Sequence, residues 1–144
     1  MPVPADINPR IVESLYCDAL LLADELRARF ARREGEDGPD RVALSCEGLR
    51  ATTRTMHCLA WLLNTRAFFA GEISEFQLRR HGRLPGALPA SDLSALAPDA
   101  ARLVSESERL YARIMRLERA WRRRDDAPAR PGAIERLRER LAAS

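Results

Sequence analysis

The sequence predicts an all-α fold: an antiparallel three-helix bundle with a short extra helix after the second long one and a flexible C-terminal tail. Three observations point there. Apolar residues recur at three- and four-residue spacing through three long segments, no segment shows the period-two alternation of a strand, and nearly all glycines and prolines fall in the gaps. A chain of 144 residues has room for one core, so the bundle is expected over residues 8–126 and the tail over 127–144.

Asn8-Pro9 predicts the first helix start, because an asparagine oxygen caps free N–H groups and proline suits the first helical position. Ile11, Leu15, Ala19, Leu22, Leu26 and Phe30 then repeat at helical spacing, giving a helix over about 9–33. Glu34 to Pro39 holds two glycines, a proline and three acids and reads as a turn. The second helix is expected from Asp40 to Ala70, with Gly71 as its stop. On it Leu49, Thr52, Met56, Leu59, Leu63 and Ala67 form one apolar stripe, and Trp61, Leu62, Phe68 and Phe69 lie on adjoining faces. A helix apolar on more than one face needs cover on more than one side.

Ser74 with Gln77 three residues on is a capping-box pattern and predicts a short helix over about 75–81. Leu84, Leu88, Leu93 and Leu96 should pin the following connector to the bundle. The third long helix is expected from Pro98 or Asp99 to Arg124, with Ala100, Leu103, Ser107, Leu110, Ile114, Leu117 and Trp121 as its packing seam. In an up-down-up order, the arginines ending the first and third helices (Arg27, Arg29, Arg32, Arg33, Arg116, Arg119 and Arg122 to Arg124) would gather around Glu34, Glu36, Asp37 and Asp40. The tail places Ile134, Leu137 and Leu141 on one face, as anchors for a partner groove.

Composition excludes several chemistries. All 24 basic residues are arginine, so no phosphate-loop lysine, Schiff-base lysine or lysine general base exists. Cys17, Cys46 and Cys58 lack CxxC spacing and are expected reduced and mostly in the core. His57 and Cys58 are neighbours on a helix and point apart, with Cys17 and His81 distant, so neither a metal site nor a cysteine–histidine nucleophile is expected. No cofactor is implied, and the glutamates among the arginines, such as Glu118 four residues before Arg122, read as solvated ion pairs. No segment is apolar for the length of a membrane span, and Met1 to Asp6 lacks the basic-then-apolar order of a signal peptide, so a cytoplasmic, non-enzymatic protein is expected.

The run from Arg50 to Glu72 carries more than generic helix. Thr52 and Thr53, flanked by Arg50 and Arg54, are poor helix formers. Either the arginines reach acids of a neighbouring helix while a threonine closes against it, or Arg-Thr-Arg is a docking patch. The pattern Arg50-x-Thr52-Thr53-Arg54-x-Met56, Trp61-Leu62-Leu63, Arg66-Ala67 and Gly71-Glu72 resembles the RcdA-like family of alphaproteobacteria, named for regulator of CtrA degradation; the likeness is close over about residues 45–80. That resemblance implies a dimeric three-helix adaptor without enzymatic activity. Such a protein helps deliver cell-cycle regulators to the ClpXP protease with a response-regulator partner, and its C-terminal segment takes part in recruiting cargo.

The excess apolar surface of the second helix independently points to a homodimer, through either the Trp61/Phe68 side or the third helix seam. Candidate contact residues are therefore Arg50, Thr52, Thr53, Arg54, Trp61, Arg66, Phe68, Phe69 and Glu72, with Ile134, Leu137 and Leu141 in the tail. The alternative is a small nucleic-acid-binding regulator using Arg122 to Arg124, a reading carried by charge alone and opposed by the absence of interleaved aromatics.

Overall fold

The computed structural model describes residues 7–31, 39–126 and 131–143. Five helices follow in order: α1 (Pro9–Ala31), α2 (Pro39–Phe69), α3 (Glu75–His81), α4 (Pro98–Asp126) and α5 (Pro131–Ala142). Among the described residues there is no strand. Every helix but α3 opens on proline, whose missing N–H costs nothing in the first turn and whose fixed φ is already helical.

The expected caps are present. Asn8 Oδ1 accepts from the Ile11 N–H at 3.0 Å. Gly71 sits at φ +77°, the left-handed conformation that closes a helix, while its N–H donates to Phe68 O and the Glu72 N–H to Ala67 O. At α3 the Gln77 N–H donates to Ser74 Oγ (3.1 Å) and the Ser74 N–H to Gln77 Oε1 (2.9 Å), a complete capping box.

α1, α2 and α4 enclose the core. α1 contributes Val12, Leu15, Ala19, Leu22 and Leu26; α4 contributes Leu103, Val104, Leu110, Ile114 and Leu117, nearly the seam read from the sequence. On α2 the outcome differs from the expectation. The buried face carries Leu44, Ala51, Cys58, Trp61 and Leu62, and of the stripe expected to be apolar and covered only Leu59 is buried. Small and polar side chains took the inward side because α1 approaches α2 closely. A Cβ on Gly48 would lie 2.5 Å from the Phe30 ring. Gly48→Ala should therefore cost about 1–3 kcal/mol, read as a lowered urea midpoint at unchanged slope; a neutral result would show that Phe30 moves aside freely.

The expected up-down-up order does not hold. α4 starts beside the end of α1, where Arg29 Nε meets Asp99 Oδ2 at 2.7 Å, and Arg102 reaches Glu25 at 3.3 Å. It therefore runs antiparallel to α1 and parallel to α2, with Arg54 of α2 donating to Ser107 Oγ of α4 at 2.8 Å. The connector makes this possible by running back the length of the bundle. Its Leu84 N–H donates to Glu118 Oε2 (2.8 Å), Pro85 O accepts from the Tyr111 hydroxyl (2.5 Å), and the Asp92 N–H reaches Glu47 Oε1 (3.4 Å). Pro85 and Pro89 hold such a strap extended.

This direction overturns the expected arginine cluster. The end of α4 lies beside α3, with Arg122 Nη2 near Arg79 O at 3.5 Å, so Arg122 to Arg124 stand away from the start of α2. Arg27 pairs instead with Asp24 and Arg29 with Asp99. Arg32, Arg33, Glu34, Glu36 and Asp37 lie outside the described residues, as does the side chain of Asp40. The Arg29 guanidinium holds the Asp99 carboxyl below its usual range. That pair supports the fold above the ordinary carboxylate pKa and is lost as pH falls through the lowered one.

The segment expected as a tail carries α5. Leu137 and Leu141 are exposed on it, and the side chain of Ile134 lies outside the described ones, as do residues 127–130.

Candidate partner-docking surface

The residues singled out between Arg50 and Glu72 separate into three groups. Arg54 is only 4% exposed; its guanidinium donates to Ser107 Oγ at 2.8 Å and Ser91 Oγ at 3.5 Å, tying α2 to α4 and to the strap. It reaches hydroxyls, where acids were expected. Arg50 bonds Glu47 of its own helix at 3.1 Å. Trp61 is buried and Phe68 half-buried, with Phe68 and Phe69 rings 5.3 Å apart. Both interfaces considered for a dimer, the Trp61/Phe68 side and the third-helix seam, are thus largely used within the chain.

Arg66 belongs to a second group. Its Nε meets Glu13 Oε2 at 2.9 Å, and its guanidinium stacks 4.2 Å over the Tyr16 ring. Beside it, Val12, Leu63, Phe69 and the exposed Glu72 line an open groove of about 440 Å³ between the start of α1 and the end of α2. Exposed Phe76 of α3 adds a further aromatic at that end of the bundle.

The third group is the solvent side of α2. Val42 (64% exposed), Leu49 (70%), Met56 (55%) and Leu63 (48%) recur every seven residues along it. Between these large side chains stand small ones, exposed Ser45, Cys46, Thr52 and Ala60 and half-buried Thr53 and Ala67. The charged residues of α2 from Val42 to Ala67 are all directed elsewhere: Glu47 and Arg54 are buried, Arg50 is held by Glu47, and Arg66 by Glu13. This helix face is about 38 Å long and carries no charge, in a chain that is 31% charged. Thr52 and Thr53 lie on this outer face, while their neighbour Arg54 points inward to Ser107. Val42 was not anticipated, although the missing charge at its heptad positions was visible in the sequence.

Glu118, expected in solvent, is buried: it accepts from the Leu84 N–H at 2.8 Å and pairs with Arg122 at 3.1 Å. Among the described residues no three Cys, His or carboxylate side chains converge as metal ligands, and no helix is long and apolar enough to cross a membrane. Cys58 is buried, with its thiol pushed up to about 12 by desolvation, whereas Cys17 and Cys46 are exposed, contrary to a core place for most cysteines. At pH 8 an aromatic disulfide reagent should label Cys17 and Cys46 of the dissociated chain quickly and reach Cys58 only after unfolding. Rapid labelling of all three under native conditions would contradict this packing.

No curated protein and no solved structure matches the chain. A family model does, over residues 4–144, nearly the whole chain, and the protein thus belongs to the family described as Protein of unknown function (DUF1465).

Proposed function

We propose that this protein is a non-enzymatic adaptor that works as a homodimer and brings protein partners together. The observation that carries the reading is the uncharged, solvent-facing heptad of α2. A second copy fits it because the pattern is self-complementary. Antiparallel pairing about a dyad between Thr52 and Thr53 sets Leu49 against Met56 and Val42 against Leu63, with small residues meeting between them, Ser45 with Ala60 and Thr52 with Thr53. No charge meets its own kind along the seam, and the two helix dipoles oppose favourably.

The seam alone covers about 400 Å² per protomer, half of what a standard interface buries. The edge of α1 must contribute the remainder. Exposed Leu20 lies four residues after Tyr16 and seven after Glu13, both of which touch Arg66, so it stands on the edge next to α2.

The class of partner comes from the resemblance to the RcdA-like family: the ClpXP machinery, a response regulator and transcription-regulator cargo, with the α5 segment assisting through Leu137 and Leu141. The cytoplasm is the compartment this role requires. The reading is tested by affinity purification and mass spectrometry of the full chain and of a chain ending at Ala127. The full chain should return ClpX or a response regulator, and the shortened one should keep the fold and lose cargo. Recovery of neither component, or equal recovery by both chains, would remove the adaptor role or the tail's part in it, respectively.

A further inference from the structure

α4 turns a row of arginines to solvent on the side away from α2. Arg102, Arg109, Arg116 and Arg123 recur every seven residues, and Arg113 stands between the middle two. Arg102 is engaged by Glu106 at 2.8 Å and Glu25 at 3.3 Å, and Arg123 donates to Arg119 O at 3.3 Å. Arg109, Arg113 and Arg116 are exposed, and among the described residues nothing pairs with them.

Arg27 pairs with Asp24 and half-buried Arg79 with Glu75, whereas exposed Arg10, Arg80 and Arg83 are scattered and form no such row. From Arg109 to Arg124, α4 carries seven arginines and one acid, and that acid, Glu118, is turned inward. Arg109 and Arg113 also wall a shallow groove of about 280 Å³ between α1 and α4, with Leu15, Leu22 and Leu110 beneath and Asp18 across from them.

We infer that this surface docks an acidic, amphipathic segment of a partner protein. Three guanidinium groups spread over about 10 Å of helix take its carboxylates, for which arginine's planar fork is suited, and the leucine floor takes one apolar side chain. A nucleic-acid backbone fits less well. The leucine floor of the groove has no use for a phosphate backbone, and α4 exposes no aromatic for stacking. Tyr111 is buried with its hydroxyl on Pro85 O, and Trp121 is half-buried with Arg79 over its ring. The inference deepens the adaptor reading by giving the chemistry of one partner, and rests on it for its use in the cell.

The test is a titration of the full chain into a labelled 20-residue polyglutamate peptide and, separately, a 20-base-pair DNA duplex, at 50 and 150 mM salt. Polyglutamate should bind at one site per protomer, and Arg109→Gln/Arg113→Gln/Arg116→Gln should weaken it at least tenfold with an unchanged thermal melt. The charge-matched control Arg10→Gln/Arg80→Gln/Arg83→Gln should stay within twofold of wild type. No binding at 50 mM salt, equal losses in both variants, or tighter binding of the duplex than of polyglutamate would each overturn the assignment. Specific polyglutamate binding by a chain that captures neither ClpX nor a response regulator would keep the acidic-segment site while removing the adaptor role.

Discussion

Leu49→Glu/Met56→Glu should convert a homodimer into a folded monomer at micromolar concentration. Neither side chain belongs to the core: Leu49 is 70% and Met56 55% exposed, so the exchange costs the single chain little, within about 0.5 kcal/mol per site. Across the proposed dyad, each Glu at 49 would face a Glu at 56 of the second copy. Like charges would then be buried in a seam with no basic residue to receive them. At about 2–5 kcal/mol for each unpaired buried charge, the dissociation constant should rise by about a thousandfold or more. Sedimentation velocity reads the mass and circular dichroism the fold. A wild-type chain sedimenting as a monomer, or a variant remaining dimeric, would remove the α2 face from the interface. Arg41→Glu, just outside the heptad, should leave the mass unchanged.

Glu118→Ala should be far more destabilising than Glu118→Gln, at about 2–4 kcal/mol against about 1 kcal/mol or less. The carboxylate is a joint between α4 and the strap that sets the direction of α4. Alanine leaves the buried Leu84 N–H without an acceptor, which alone costs about 1–3 kcal/mol, and opens a cavity beside it. Glutamine keeps an oxygen for that N–H and gives up only the pairing with partly exposed Arg122. Urea unfolding of both variants decides the matter. Equal losses would mean the ion pair, not the backbone hydrogen bond, is what Glu118 contributes.

Local order was open to reading from local residues. Asn8, Ser74 with Gln77, and Gly71 each act within a few residues along the chain, and all three do what their chemistry predicted. The seam of α4 was equally plain, because a helix with a single apolar stripe can bury only that stripe. α2 has two usable faces, and hydrophobicity ranks them wrongly. The face with glycine, alanine and cysteine lies inward because close approach of α1, with Phe30 against Gly48, buries more area than a bulkier face would allow. The larger side chains are left outside, where a second copy can reach them.

Helix content, caps and the absence of lysine chemistry were thus decided by the chain as a string of residues. The course of the connector was not, since a strap rich in proline and leucine serves either a short reversal or a long return. Only the partners brought together in space, Glu118 with Leu84, Tyr111 with Pro85 and Arg29 with Asp99, selected the return and set α4 parallel to α2. That choice in turn carried the arginines at the end of α4 away from the start of α2 and placed them on a surface of their own.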